Sequence, residues 1–134
     1  MNIENFNDLL QAARTQVLPQ RLLFVFADVE LPDDCTPQER AQFEAGQGGA
    51  LVPKMCVDKS PDELESFESL VQEAAAFGQN WGIVFAAAMS GTVQSPPTSA
   101  DADKPLQAMV EAIKQGNISA YIPFDNSGSP VHFA

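Results

Sequence analysis

Two short uninterrupted apolar runs constrain this chain more than any other feature: Leu22 to Ala27 (LLFVFA) and Ile83 to Met89 (IVFAAAM). Both have strand length, and neither approaches the ~20 residues that a membrane-spanning helix needs. A strand that is apolar on both sides must have both sides covered. Each run therefore reads as a central strand of a sheet held between two layers. Three consecutive alanines leave the second run open to a helical reading as well. The length of 134 residues, with 45% hydrophobic and 19% charged, predicts one domain spanning 1–134.

Helical periodicity surrounds these runs. Residues 3 to 17 place Ile3, Phe6, Leu9, Leu10, Ala13 and Val17 on one face, and Pro19 ends that helix. Thr36-Pro37-Gln38-Glu39 and Ser60-Pro61-Asp62-Glu63 both have the form of a capping box with proline in the first turn. The first predicts a short helix stopped by Gly46 and Gly48. The second predicts a longer helix to about Phe77, burying Leu64, Phe67, Leu70, Val71, Ala74 and Phe77, with Gly78 at its C-terminal stop. A last helix is expected from about Asp103 to Gln115, after a long loop over 90–102. Ala50 to Val57 is interrupted by Pro53 and Lys54 and so reads as an edge strand. Ile118 to Phe124 reads as another strand, and the turn at Asn126 to Ser129 predicts a return through Val131, His132 and Phe133.

Alternating helices and strands predict an α/β fold. The expectation is a four- or five-stranded, mostly parallel sheet in the order 2-1-3-4, flanked by about four helices and closed by a C-terminal β-hairpin. In an open parallel sheet, ligands bind beyond the C-terminal ends of the strands. That edge would gather Asp28, Asp58 and Asp125 as metal ligands, with Ser90, Gly91, Thr92 and Lys59 contacting a phosphate or other small anion.

Charge points elsewhere. Eighteen acidic residues against seven basic ones give a net charge of -11, and twelve acidic but three basic residues lie between Asp28 and Glu73. Nucleic acid and anionic membrane surfaces are excluded as partners, because both need clustered Lys and Arg. A helix carrying acids without a cation can instead steer a basic partner, and Asp62, Glu65, Glu68 and Glu73 are the expected contacts. The principal reading is a small acidic, non-catalytic interaction or regulatory module without a cofactor; the metal-dependent anion site is the alternative.

Nucleophilic chemistry has little to draw on. Cys35 and Cys56 show no CxxC spacing, and no export signal is visible, so both read as reduced thiols in a cytoplasmic protein. Cys56 with Lys59 nearby is the better placed of the two for a redox role. A hydrolytic triad would have to recruit His132, the one histidine. Gly46-Gln47-Gly48-Gly49 follows a helix and precedes a strand, the reverse of a phosphate loop.

Leu22 to Pro32 (LLFVFADVELP), Ala50 to Lys59 (ALVPKMCVDK), Trp81 to Gly91 and Pro105 to Phe124 carry a resemblance over nearly the whole chain. On these segments it resembles a family of short proteobacterial proteins often labelled ribonucleotide reductase subunit alpha. No catalytic motif comes with the resemblance. The reductase's large subunit uses a radical-bearing cysteine and a reducing cysteine pair, and two isolated cysteines match neither. What the resemblance implies is an association with that enzyme or its operon.

Overall fold

In the computed structural model, residues 5–30, 36–44, 50–78, 80–92 and 94–131 are described. The order is α1 (Phe6–Arg14), β1 (Gln20–Glu30), α2 (Pro37–Glu44), β2 (Ala50–Lys59), α3 (Phe67–Ala75), β3 (Ile83–Ser90), α4 (Ser99–Lys114) and β4 (Ile122–Asp125). The four strands form one sheet in the order β2-β1-β3-β4. The neighbour order is the expected one, but strand direction is not. Every ladder is antiparallel, which overturns the mostly parallel sheet. β2 and β3 flank β1, run the same way as each other and oppose it.

Continuous apolarity misleads about direction because it reports covered faces. Leu22, Phe24 and Phe26 of β1 join Val84, Ala86 and Phe124 beneath α1 and α3. Leu23, Val25 and Ala27 point the other way and join Phe85 beneath Ala102, Leu106, Met109 and Ile113 of α4. Helices therefore cover both sides of an antiparallel sheet, a burden more often met by parallel ones. Phe6 ties the first layer together, with ring centroids 4.8 Å from Phe67, 5.4 Å from Phe124 and 5.6 Å from Phe24.

Local hydrogen bonds move several helix boundaries. Asn5 caps α1 by accepting from the Asp8 N–H, and the helix ends at Thr15, leaving Val17 93% exposed. The Ser60–Glu63 box exists, with Ser60 N–H donating to Glu63 Oε1 at 3.2 Å and Glu63 N–H to Ser60 Oγ at 3.3 Å. It closes a single turn. α3 begins later, at a second box in which Ser66 and Ser69 cap each other. Ala76 caps its far end, so Phe77 lies outside the helix and is 56% exposed. α4 starts at a Thr98–Asp101 box, four residues ahead of the expected Asp103, and carries Pro105 in its interior. That proline leaves the Asp101 carbonyl without its usual helical donor.

The C-terminal segment returns on β4 through one isolated bridge, Phe124 to Pro130, and Val131 N–H donates to Pro123 O at 3.0 Å. His132, Phe133, Cys35, Gly46, Gly48 and Gly49 lie outside the described residues.

Candidate interaction site

An antiparallel sheet has no common C-terminal edge, so the strand-end residues divide between two ends. Asp58, Lys59, Ser90, Gly91 and Thr92 lie at the end where β1 begins, whereas Asp28 and Asp125 lie at the opposite end. Asp28 pairs with Val52, six positions before Asp58 on β2, a separation of about 20 Å along the strand. The expected metal set of Asp28, Asp58 and Asp125 is therefore not assembled. Among the described residues no group of three His, Cys, Asp or Glu side chains is placed to hold a metal ion.

Each of these residues has a local partner instead. Asp28 accepts from the Val29 N–H at 3.0 Å. Asp125 organises the turn after β4, its Oδ1 accepting from Ser127 N–H at 2.9 Å, Ser127 Oγ–H at 2.6 Å and Ser129 N–H at 3.0 Å. Those bonds hold its carboxyl below the ordinary range. Ser90 Oγ accepts from Gln20 Nε2 at 2.8 Å, and Gly91 N–H donates to Pro19 O at 2.9 Å. Thr92 exchanges backbone hydrogen bonds with Ser95. A Cβ on Gly91 would lie 2.4 Å from Ser95 O, so this glycine serves the close approach of two backbone segments.

The end of the sheet that holds Asp58 carries a polar network that sequence reading missed. Arg21 is the second residue of β1 and is 8% exposed, the one buried charged residue among those described. It faces the α4 side, where its Nε donates to Asp58 Oδ2 at 2.5 Å and its Nη2 to Ser99 Oγ at 2.7 Å. Ser99 in turn donates to Asp58 Oδ2 at 2.7 Å, and Glu63 Oε1 lies 3.6 Å from Arg21 Nη1. Burial opposes ionisation of Asp58. The Ser99 hydrogen bond, then the bond and charge of Arg21, outweigh it and hold this carboxyl below its ordinary value. An arginine abutting an apolar run was the available signal, since burying it requires a carboxylate partner. The network is saturated: no buried side-chain nitrogen or oxygen among the described residues lacks a partner.

The acidic residues expected to meet a partner separate into two kinds. Glu73 is half-buried and pairs with Lys59 at 2.9 Å, joining α3 to β2. Asp62, Glu65 and Glu68 are exposed, and no Lys or Arg among the described residues lies within ion-pair distance of them. Asp62 also lines a cleft of about 250 Å³ with Arg14, Gln16, Gln20, Ser60 and Pro97. Arg14 anchors that wall by donating to Leu64 O at 2.9 Å.

Cys56 is exposed on β2. Desolvation pushes its thiol up, and the carboxylates of Asp58 and Asp103 push it further, the opposite of an activated nucleophile. No helix among the described residues is long and apolar enough to cross a membrane. Comparison of the chain with protein-family models, with curated proteins and with solved structures found no match.

Proposed function

We propose that this chain is a small acidic, cytoplasmic interaction or regulatory module that captures a partner with a basic surface and carries no reaction of its own. One observation supports this reading above the others. Three of the seven cations are engaged across the sheet and its helices, Arg21 with Asp58 and Glu63, Lys54 with Glu30 and Lys59 with Glu73, and Lys114 pairs with Glu111 on α4. Asp62, Glu65 and Glu68 are left exposed along 61–68 with no ion pair to any Lys or Arg among the described residues, while Arg14 binds the Leu64 carbonyl of the same stretch rather than a carboxylate. Such a segment raises the local concentration of a cationic partner and its association rate, an effect screened over about 8 Å at physiological salt. The carboxylates contribute more to rate and selectivity than to affinity.

A native-level pull-down from the host at two salt concentrations tests the reading. A stoichiometric partner held at low salt and released at high salt is the expected result. Recovery of ribonucleotide reductase would tie the module to the enzyme that the sequence resemblance implies. No stoichiometric partner at either salt would overturn the proposal.

A further inference from the structure

A second surface lies away from the acidic segment, where α4 crosses the outer strand. β2 is the terminal strand of the sheet, and among the described residues its ladder is with β1 alone. Its first half is blunted by Pro53 and by a register shift opposite Phe26 and Ala27, devices that discourage edge pairing. Its second half, Met55 to Lys59, is regular and pairs in unbroken register with Leu22 to Phe26. Beside that regular half runs a groove of about 330 Å³. Cys56, Leu106 and Val110 supply its apolar lining, and Asp103, Gln107 and Glu111 its polar one.

The two carboxylates define a spacing. Asp103 and Glu111 are eight residues apart on α4, about 12 Å along the helix axis. An extended strand covers about 13 Å in four residues, and positions i, i+2 and i+4 share one face. A cation, an apolar side chain and a cation at those three positions would meet Asp103, the groove and Glu111 in turn, the last in competition with Lys114, whose exposed Nζ lies 3.5 Å from Glu111 Oε1. A second copy of this chain is the wrong occupant, since it brings a net charge of -11 to an acidic groove. Burial first, then the Asp58 and Asp103 carboxylates, push the Cys56 thiol up, so both carboxylates lie close enough to this groove to act on it.

We propose that the Met55–Lys59 edge and the α4 groove form a docking site for an extended, basic peptide segment of the pattern cation-x-apolar-x-cation, which joins the sheet as an added strand. Main-chain hydrogen bonds to β2 supply affinity in this mode, and the three α4-facing side chains supply selectivity. The site shares no residue with Asp62, Glu65 and Glu68, so either surface can fail without the other.

The test uses the full chain with Cys35→Ser and a labelled threonine-rich peptide containing Lys-Thr-Val-Thr-Lys. Two control peptides replace both lysines by glutamate or the valine by serine. The expected result is saturable, salt-sensitive binding of the first peptide alone. Saturation should slow Cys56 alkylation at least about threefold and protect from exchange those Met55–Lys59 amides that point away from β1. Asp103→Lys with Glu111→Lys should weaken binding about three- to tenfold, and the milder Asp103→Asn with Glu111→Gln pair should weaken it less, as rim charges do. No binding, or binding that leaves Cys56 and those amides unprotected, overturns the proposal. So does equal affinity for the glutamate peptide.

Discussion

Removing the Asp58 carboxylate should be the most damaging single change at the polar end of the sheet. The Arg21 side chain is 10% exposed and the Asp58 side chain 19%, so each is largely cut off from water and depends on the other. Asp58→Ala would strand the guanidinium with Ser99 and with Glu63, whose nearest oxygen is 3.6 Å away and half in solvent. Breaking one partner of a buried pair costs about 3–5 kcal/mol. The remaining Glu63 contact and the residual exposure place this case near the lower end, at about 3 kcal/mol. In a domain of this size that is a fall of about 10 °C in melting temperature. Replacing both partners by apolar residues, Arg21→Met with Asp58→Leu, removes the stranded charge as well as the bond and should cost about 1 kcal/mol. The assay is thermal and urea unfolding of wild type, Arg21→Met, Asp58→Leu and the double variant, read as a thermodynamic cycle, with Asp58→Ala measured beside them. Additive losses, with the double variant as unstable as the two singles combined, would refute the assignment of Asp58 as the obligatory counter-ion of Arg21.

Three further outcomes follow from the same contacts. Because the folded Asp58 carboxyl is held below its unfolded value, its contribution is present above the ordinary carboxylate range and is lost as pH falls through the folded value; the melting-temperature gap between wild type and Asp58→Asn should therefore narrow on acidification, and a widening gap would contradict it. Gly128→Ala should destabilise by about 1–2 kcal/mol in urea titrations, since Gly128 has φ +84° and its Cβ would lie 3.2 Å from the Phe67 ring; an unchanged midpoint would show that the turn relaxes freely. Cys56 should react with iodoacetamide more slowly than a free thiol at neutral pH and recover on raising the pH. Rapid alkylation of the native protein at neutral pH would restore the redox reading.

How much of this was legible in the sequence depends on which physical signal each element sends. LLFVFA and IVFAAAM announce central strands, and they are β1 and β3; both faces are buried over Leu22 to Ala27 but on β3 only over Val84 to Ala86, with Ala88 exposed. Pro53 and Lys54 announce an edge, and β2 is one. Direction sends no such signal, because helices on both faces bury an antiparallel pair as completely as a parallel one. Convergence of Asp28, Asp58 and Asp125 follows only from a parallel sheet, which would bring the strand ends together, and the antiparallel ladders separate them. Helix starts were misplaced where one capping signal hid another. Ser60-Pro61-Asp62-Glu63 has the stronger pattern, yet Ser66 with Ser69 is the box that opens α3. Thr98 with Asp101 was masked by Pro96, Pro97 and Pro105, which read as loop residues although a helix tolerates Pro105. Val17 and Phe77 continue the apolar period on paper, but their helices stop before them. The acidic surplus was plain from composition, whereas its division into paired Glu73 and unpaired Asp62, Glu65 and Glu68 needed the fold.

The measurement closest to the central claim is a quantitative pull-down from the host, comparing wild type with Asp62→Lys/Glu65→Lys/Glu68→Lys at one low salt concentration. All three side chains are exposed, so the variant should retain the wild-type circular dichroism spectrum, with a melting temperature lower by only a few degrees because Glu68 sits in the first turn of α3, where a lysine opposes the helix dipole. The folded variant should lose most of the partner that wild type captures. Equal capture by the two proteins would show that the acidic segment does not recognise the partner, and would contradict that claim.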